Sequence, residues 1–342
     1  MIKKRLIYVL YCVLTVCTLV YGSCKKAIIK EENQNSVAVF DYLWNVMETR
    51  YAMFTYKQVD WKKIYSEYRP MVSEKTSSRE LFSICSTMLD HLKDGHVALI
   101  TIEQKYAYDG YYTGYSHNFN YTLLKQKYLG EVNTQGILTY KLIDKFGYLY
   151  IPSFGNELIP SDIDLVFSKL EQVEALIIDV RDNSGGASDK VDQIVKKLIQ
   201  KKTLLKYDVY KKGPGHDEVY EQKPKYLNSK SSIYSLKPII VLTNRRCFSS
   251  CNDFVLYLSE LPNVVVIGDQ TGGGGGTPFD HELPNGWVLK YSASYAISPS
   301  GLNIEEGISP DFFITNSMDD ENKGNDAIFS FAINYLSKNH WL

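Results

Sequence analysis

Cysteine is scarce in this sequence and neither sign of charge dominates it. Six cysteines occur in 342 residues: Cys12, Cys17, Cys24, Cys85, Cys247 and Cys251. The first two lie in an apolar N-terminal run and Cys24 follows it, which leaves three in the body of the chain, too few for a disulfide framework. Cys-x-x-Cys and His-Glu-x-x-His are both absent, so no metal and no cofactor are expected. The net charge of −1, from 38 basic and 39 acidic residues, excludes the electrostatic footprint of a nucleic-acid binder or of a protein drawn to an anionic membrane surface. The glycine-rich stretches lack both Gly-x-Gly-x-x-Gly and the Gly-Lys-Ser/Thr ending, which argues against dinucleotide and phosphate loops. What is present is ordinary globular composition, 44% hydrophobic and 23% charged, enough for a sizeable core in one large domain or two modest ones.

The N-terminus reads as an export signal. Lys3, Lys4 and Arg5 precede an almost unbroken apolar run from Leu6 to Tyr21, and Gly22 and Ser23 lead to Cys24. Cleavage before Cys24 leaves its thiol free for lipidation, as in a bacterial lipoprotein, with Tyr21 as the one departure from that pattern. A plain signal peptide or an uncleaved anchor is the alternative. The expected organisation is a signal over residues 1–23, a linker over 24–36, a small helical domain over 37–96, a β-rich segment over 97–145 and an α/β core over 146–342. The expected location is the periplasm-facing Gram-negative envelope, on a lipid anchor.

Periodicity supports that division. Phe40, Leu43, Trp44, Met47 and Tyr51 fall on one helical face. Asp60 suits the start of a second helix, and Ser77 with Glu80 forms a capping-box pattern for a third. Residues 106–128 are dense in Tyr with Gly and Asn between, which predicts short strands and turns. Sheet packing is the favoured role of these tyrosines, and an aromatic substrate groove the other. From residue 146 strand and helix alternate: strands over 146–151, 175–180, 239–242 and 264–267, and helices after Ser161, around 191–198, over 252–261 and over 327–336. That alternation predicts an α/β core.

Three elements can carry chemistry. Ser249 lies between a buried strand and an amphipathic helix, where free N–H groups and the helix dipole favour negative charge. It is either a nucleophile sharing its site with an oxyanion or an ordinary helix cap. The turn Asp179-Val-Arg-Asp-Asn-Ser-Gly-Gly186 exposes backbone N–H groups suited to an oxyanion. His96, in Leu92-Lys-Asp-Gly-His-Val97, sits at a domain junction, and His281, flanked by Asp280 and Glu282, is the rival base. The other histidines, His117, His216 and His340, have no persuasive context.

Together these elements resemble the carboxy-terminal processing peptidases and the catalytic core of tricorn protease. The matching segments, in family order, are LKDGHV at 92–97, GYLYIPSF at 147–154, IIDVRDNSGG at 177–186, VLTNRRCFSSCNDF at 241–254, GDQTGGG at 268–274 and IEEGISPD at 304–311. The resemblance implies a crotonase/Clp-peptidase-like core of repeated strand–strand–helix units behind a small N-terminal helical domain. It implies a serine endopeptidase acting on peptide or protein substrates through an acyl-enzyme, with Ser249 as nucleophile. The N–H of Ser250, with that of Gly185 or Gly186, would form the oxyanion hole. The processing-peptidase branch activates its serine with a lysine, but that position here is Gly274. The tricorn-like branch uses a histidine, which matches His96, supported by a glutamate, which matches Glu305, through a serine that here is Gly95. Asp94 or a water is then left to orient His96. The span over 97–145 is too short for the PDZ domain many relatives carry. A binding module that has lost catalysis is the alternative, and Gly274 and Gly95 are its motive.

Overall fold

The computed structural model describes residues 35–216, 218–229 and 232–338. The segment expected to be an export signal, Cys24 and His340 lie outside them. The chain opens with helices α1 (Ser36–Arg50), α2 (Phe54–Lys57), α3 (Trp61–Tyr68) and α4 (Ser78–Asp90). Asp60 caps α3 through the N–H of Lys63, and Ser77 caps α4 through that of Glu80. Strands β1 (Ala98–Ile100) and β2 (Lys105–Ala107) follow, then a short helix α5 (Tyr121–Leu124), β3 (Asn133–Gln135), β4 (Leu138–Ile143) and β5 (Phe146–Tyr150). The core continues as α6 (Pro160–Lys169), β6 (Ala175–Asp179), α7 (Ser188–Val195), β7 (Thr203–Tyr210), β8 (Lys223–Leu227), β9 (Ile239–Thr243), α8 (Ser250–Ser259) and β10 (Val264–Gly268). Strands β11 (Pro278–Glu282), β12 (Val288–Ser292), β13 (Ser294–Ile297) and β14 (Phe312–Phe313), with helices α9 (Met318–Lys323) and α10 (Ala327–Lys338), complete it.

The architecture is mixed α/β. Seven strands form the main sheet in the order β14-β10-β9-β6-β5-β4-β3. Strands β5, β6, β9, β10 and β14 run parallel, while β3 and β4 pair antiparallel at one edge. Every residue of β6 and β9 is buried, the continuous apolar pattern expected of parallel strands covered on both faces. One side packs α6, α7 and α8 through Ile163, Ile194 and Phe254. The other packs α10 through Ile328 and Phe329.

The helical region shares its core with the rest of the chain. Phe40, Leu43, Trp61 and Met88 pack in one cluster with Leu289 and Tyr291 of β12, and β12 pairs with β1 in the sheet β11-β12-β1-β2. This places the loop carrying His96, which leads into β1, against the α/β core.

Two local expectations are corrected. Ser161 does not cap α6. The helix opens on Pro160, whose fixed φ suits the first helical position, with no side-chain cap. Residues 106–128 are not all strand and turn, because α5 starts there with Asn120 as its cap.

A buried ion cluster locks the end of β6. Arg181 is fully buried and donates to Asp179 at 2.7 and 2.9 Å and to Asp326 at 2.8 and 3.0 Å. Asp326 also accepts the N–H of Phe329. The turn after β6, which carries Gly185 and Gly186, is thereby tied to the start of α10.

Candidate active site

Three loops meet at the carboxyl ends of neighbouring parallel strands, the edge where α/β sheets place their ligand sites. They follow β6, β9 and β10, and backbone bonds join them: Phe248 N–H to Asn183 O at 3.2 Å, Ser249 N–H to Gly273 O at 2.9 Å and Gly272 N–H to Cys247 O at 2.8 Å. The Asn244 side chain accepts from the N–H of Asp182 at 3.0 Å and donates to its carboxylate at 2.8 Å, a further tie between the first two.

Ser249 is not a capping serine. It occupies the N-cap position of α8, but its side chain makes no capping bond and its backbone stands at φ 58°, ψ −125°. A non-glycine residue held there stores about 1–3 kcal/mol of strain, a feature concentrated at functional sites. The hydroxyl instead lies 3.0 Å from His96 Nε2. His96 and Ser249 are 153 residues apart in sequence, and the contact exists because the β1 sheet packs its entry loop against the strand ends.

Burial lowers the His96 pKa, while Asp94 and Asp253 oppose that and Lys290 adds to it. The imidazole is therefore neutral near pH 7 and able to accept a proton through Nε2. His281, the rival base, points elsewhere: its Nε2 lies 3.0 Å from the Tyr42 hydroxyl, with the rings stacked. His117 pairs with Asp182 at 2.7 Å, and His216 stacks on Phe54.

The turn after β6 abuts the serine. A Cβ at Gly185 would stand 2.7 Å from Phe248 O and 3.0 Å from Ser250 N, so only glycine permits this approach. The Gly185 N–H is already bound to Asn183 Oδ1 at 2.9 Å. Gly186 N–H and Ser250 N–H have no backbone partner among the described residues.

Glu305 is buried but makes no hydrogen bond to His96. One carboxylate oxygen accepts Gly275 N–H at 3.0 Å and the other lies 3.3 Å from Lys57 Nζ. Its pKa is pushed up to about 8, by burial first and the charge of Asp94 second. Lys57 stays charged although burial opposes it, because Glu305, Asp94 and Glu306 surround it.

Phe248 is among the residues the sequence did not single out. Its ring lies 4.8 Å from the His96 ring and stacks on Tyr111 at 4.4 Å. A Cβ at Gly274 would sit 2.5 Å from that ring, and one at Gly95 would sit 2.7 Å from it. One aromatic side chain thus fills the space beside both positions where the family carries a lysine or a serine. Gly274 also stands at φ +77°, a region costly for any side chain. Gly274→Lys is therefore expected to destabilise the protein by about 1–3 kcal/mol through overpacking and to add no activity. A thermal melt and an activity assay of the variant check this, and a gain of activity would show that the lysine can be accommodated.

Beside Phe248 lies a cavity of about 160 Å³ whose lining includes Tyr108, Tyr111, Tyr115 and Arg245. Part of the Tyr-rich segment therefore lies beside Phe248. Another part packs on the main sheet, where Tyr121 stacks on Tyr150. Cys85, Cys247 and Cys251 are buried free thiols. Among the described residues, no group of three acidic, His or Cys side chains is placed to hold a metal.

Comparisons with known proteins place the chain in a family. Residues 145–314 match the model of peptidase family S41, and residues 34–90 match that of the tricorn protease C1 domain. A crystal structure of a candidate peptidase from Parabacteroides merdae superposes with a TM-score of 0.84 at 36% identity, covering 89% of this chain and 97% of that one. The chain belongs to peptidase family S41. A protein assigned as a CtpA-like serine protease from Staphylococcus aureus (strain N315) is 26% identical over 178 residues, 51% of this chain and 34% of that protein. The chain thus matches about a third of the length of such curated relatives. Mature CPAF shares the fold, with a TM-score of 0.69 at 12% identity over 89% of this chain and 98% of that one.

Proposed function

We propose that this chain is a serine endopeptidase that cleaves peptide bonds through an acyl-enzyme. The single observation that carries the reading is the 3.0 Å contact between His96 Nε2 and Ser249 Oγ, made by a serine in a strained backbone conformation. His96 takes the hydroxyl proton as Oγ attacks the scissile carbonyl. The oxyanion is held by Gly186 N–H and Ser250 N–H. The imidazolium then gives its proton to the leaving amine, and water, deprotonated by the same imidazole, releases the acyl group. The two glycines that suggested lost catalysis are the positions against which Phe248 packs, so they argue for a different activating group and not for a dead site. Incubation of the purified protein with a diverse peptide library tests the reading. New termini dependent on the protein support it, and an undigested library overturns it.

The export signal supports a second part of the proposal, that the protein works in the cell envelope on a lipid anchor at Cys24. Membrane fractionation checks this: Cys24→Ser is expected to move the protein from the membrane to the soluble fraction, and unchanged partitioning contradicts it.

A further inference from the structure

Behind the imidazole three polar atoms are buried without hydrogen-bond partners: Asp94 Oδ2, His96 Nδ1 and the Tyr51 hydroxyl. Asp94 and Tyr51 are both fully buried. The other Asp94 oxygen accepts the backbone N–H of His96 at 2.7 Å, which fixes the carboxylate and the ring on one tight turn. The Tyr51 phenol faces the same carboxylate. Its ionisation is opposed first by burial and then by the charges of Asp94 and Glu305. A lone buried polar atom costs about 1–3 kcal/mol, so three gathered around one turn call for a common explanation. One buried water would satisfy all three, since such waters bind two to four polar partners.

We propose that Asp94 and Tyr51 are the positioning pair for His96, linked to Nδ1 through one buried water. The inference rests on the Ser249–His96 reading above. The water accepts the Nδ1 proton and donates to Asp94, and the Tyr51 hydroxyl donates to the same carboxylate or to the water. This holds Nδ1 protonated and leaves Nε2 as the base toward Ser249. Glu305 is not free for that task, because Lys57 and Gly275 already hold its two oxygens. The charged groups acting on the imidazole are Asp94 from its own loop, Asp253 from α8 and Lys290 from β12. Glu305 and Lys57 act on it through the Asp94 carboxylate.

The test is the rate at which a fluorophosphonate probe labels Ser249 as a function of pH, for the wild type, Asp94→Asn and Tyr51→Phe. Melting curves confirm that each variant is folded. Asp94→Asn is expected to slow the plateau rate by about 100-fold, less than the roughly 10⁴-fold seen where a carboxylate bonds the histidine directly. It should also move the acid midpoint down, because the imidazolium loses a negative neighbour. Tyr51→Phe is expected to slow labelling a few-fold and move the midpoint up, because a carboxylate relieved of a donor attracts the imidazolium more strongly. Opposite shifts are not produced by loosened packing alone. An unlabelled wild type would defeat the Ser249–His96 reading itself. A labelled wild type whose midpoint is unmoved in Asp94→Asn, or moves the same way in both variants, overturns the positioning pair. Should Asp94→Asn fail to fold, Tyr51→Phe decides: an upward shift supports the pair and an unmoved midpoint overturns it.

Discussion

Ser249→Ala is expected to abolish labelling by a fluorophosphonate probe and to reduce peptide hydrolysis by roughly 10⁴–10⁶-fold, the range for loss of a catalytic serine whose partners act as a unit. The expected loss is large because nothing else nearby can replace the nucleophile. Ser250 Oγ is buried, and Cys247 and Cys251 are buried thiols, with burial holding Cys251 protonated. The substitution should leave folding intact, since the Ser249 side chain makes no capping bond to α8. Residual labelling at the wild-type rate would place the nucleophile elsewhere, and mass spectrometry of the labelled peptide would locate it.

His96→Ala is expected to cost a similar factor, because the serine hydroxyl is a weak nucleophile without a base. The wild-type pH profile should show the same group. The reaction needs neutral imidazole, and burial lowers the His96 pKa. Activity should therefore rise through a midpoint below the ordinary histidine value of about 6.5 and stay flat above neutrality. The same burial sets a sign for stability. Below the unfolded value the unfolded chain binds a proton that the folded chain resists, so this site loses stability as pH falls from about 6.5 toward the folded pKa. A midpoint well above neutrality in the activity profile would point to an amine base, against the assignment of His96.

Much of the site was legible in the sequence, because the relevant features are local. The apolar runs of β6 and β9 announce buried parallel strands, and the helix behind Ser249 is announced by Phe254 and Leu258. The bond between His96 and Ser249 came from resemblance, since no periodicity spans 153 residues. Strand β11 is mostly exposed, as at Phe279 and Glu282, and β12 and β13 are short with only alternating burial, so none of the three carries a continuous apolar run. Tyr51, Lys57 and Phe248 were missed for another reason. Tyr51 follows the end of α1 in line with its apolar face and reads as core, Lys57 as a surface charge at a helix end, and Phe248 as one more residue before a serine. Their roles follow from what the fold brings against them. Of Gly185 and Gly186, the two expected donors, Gly185 has its N–H taken by Asn183, a pairing that only the turn geometry reveals.

The Phe248 ring has a consequence for ancestry. A lineage passing from this arrangement to a lysine-activated one must change at least two positions, gaining a long side chain at 274 and giving up the ring at 248. Lysine gained first meets a filled space, and the ring lost first uncovers the histidine and strips Tyr111 of its stacking partner. Either order passes through a clash or an emptied space at this ring. If His96 activates Ser249 as proposed, the two ways of activating the serine are separated by a packing barrier at Phe248.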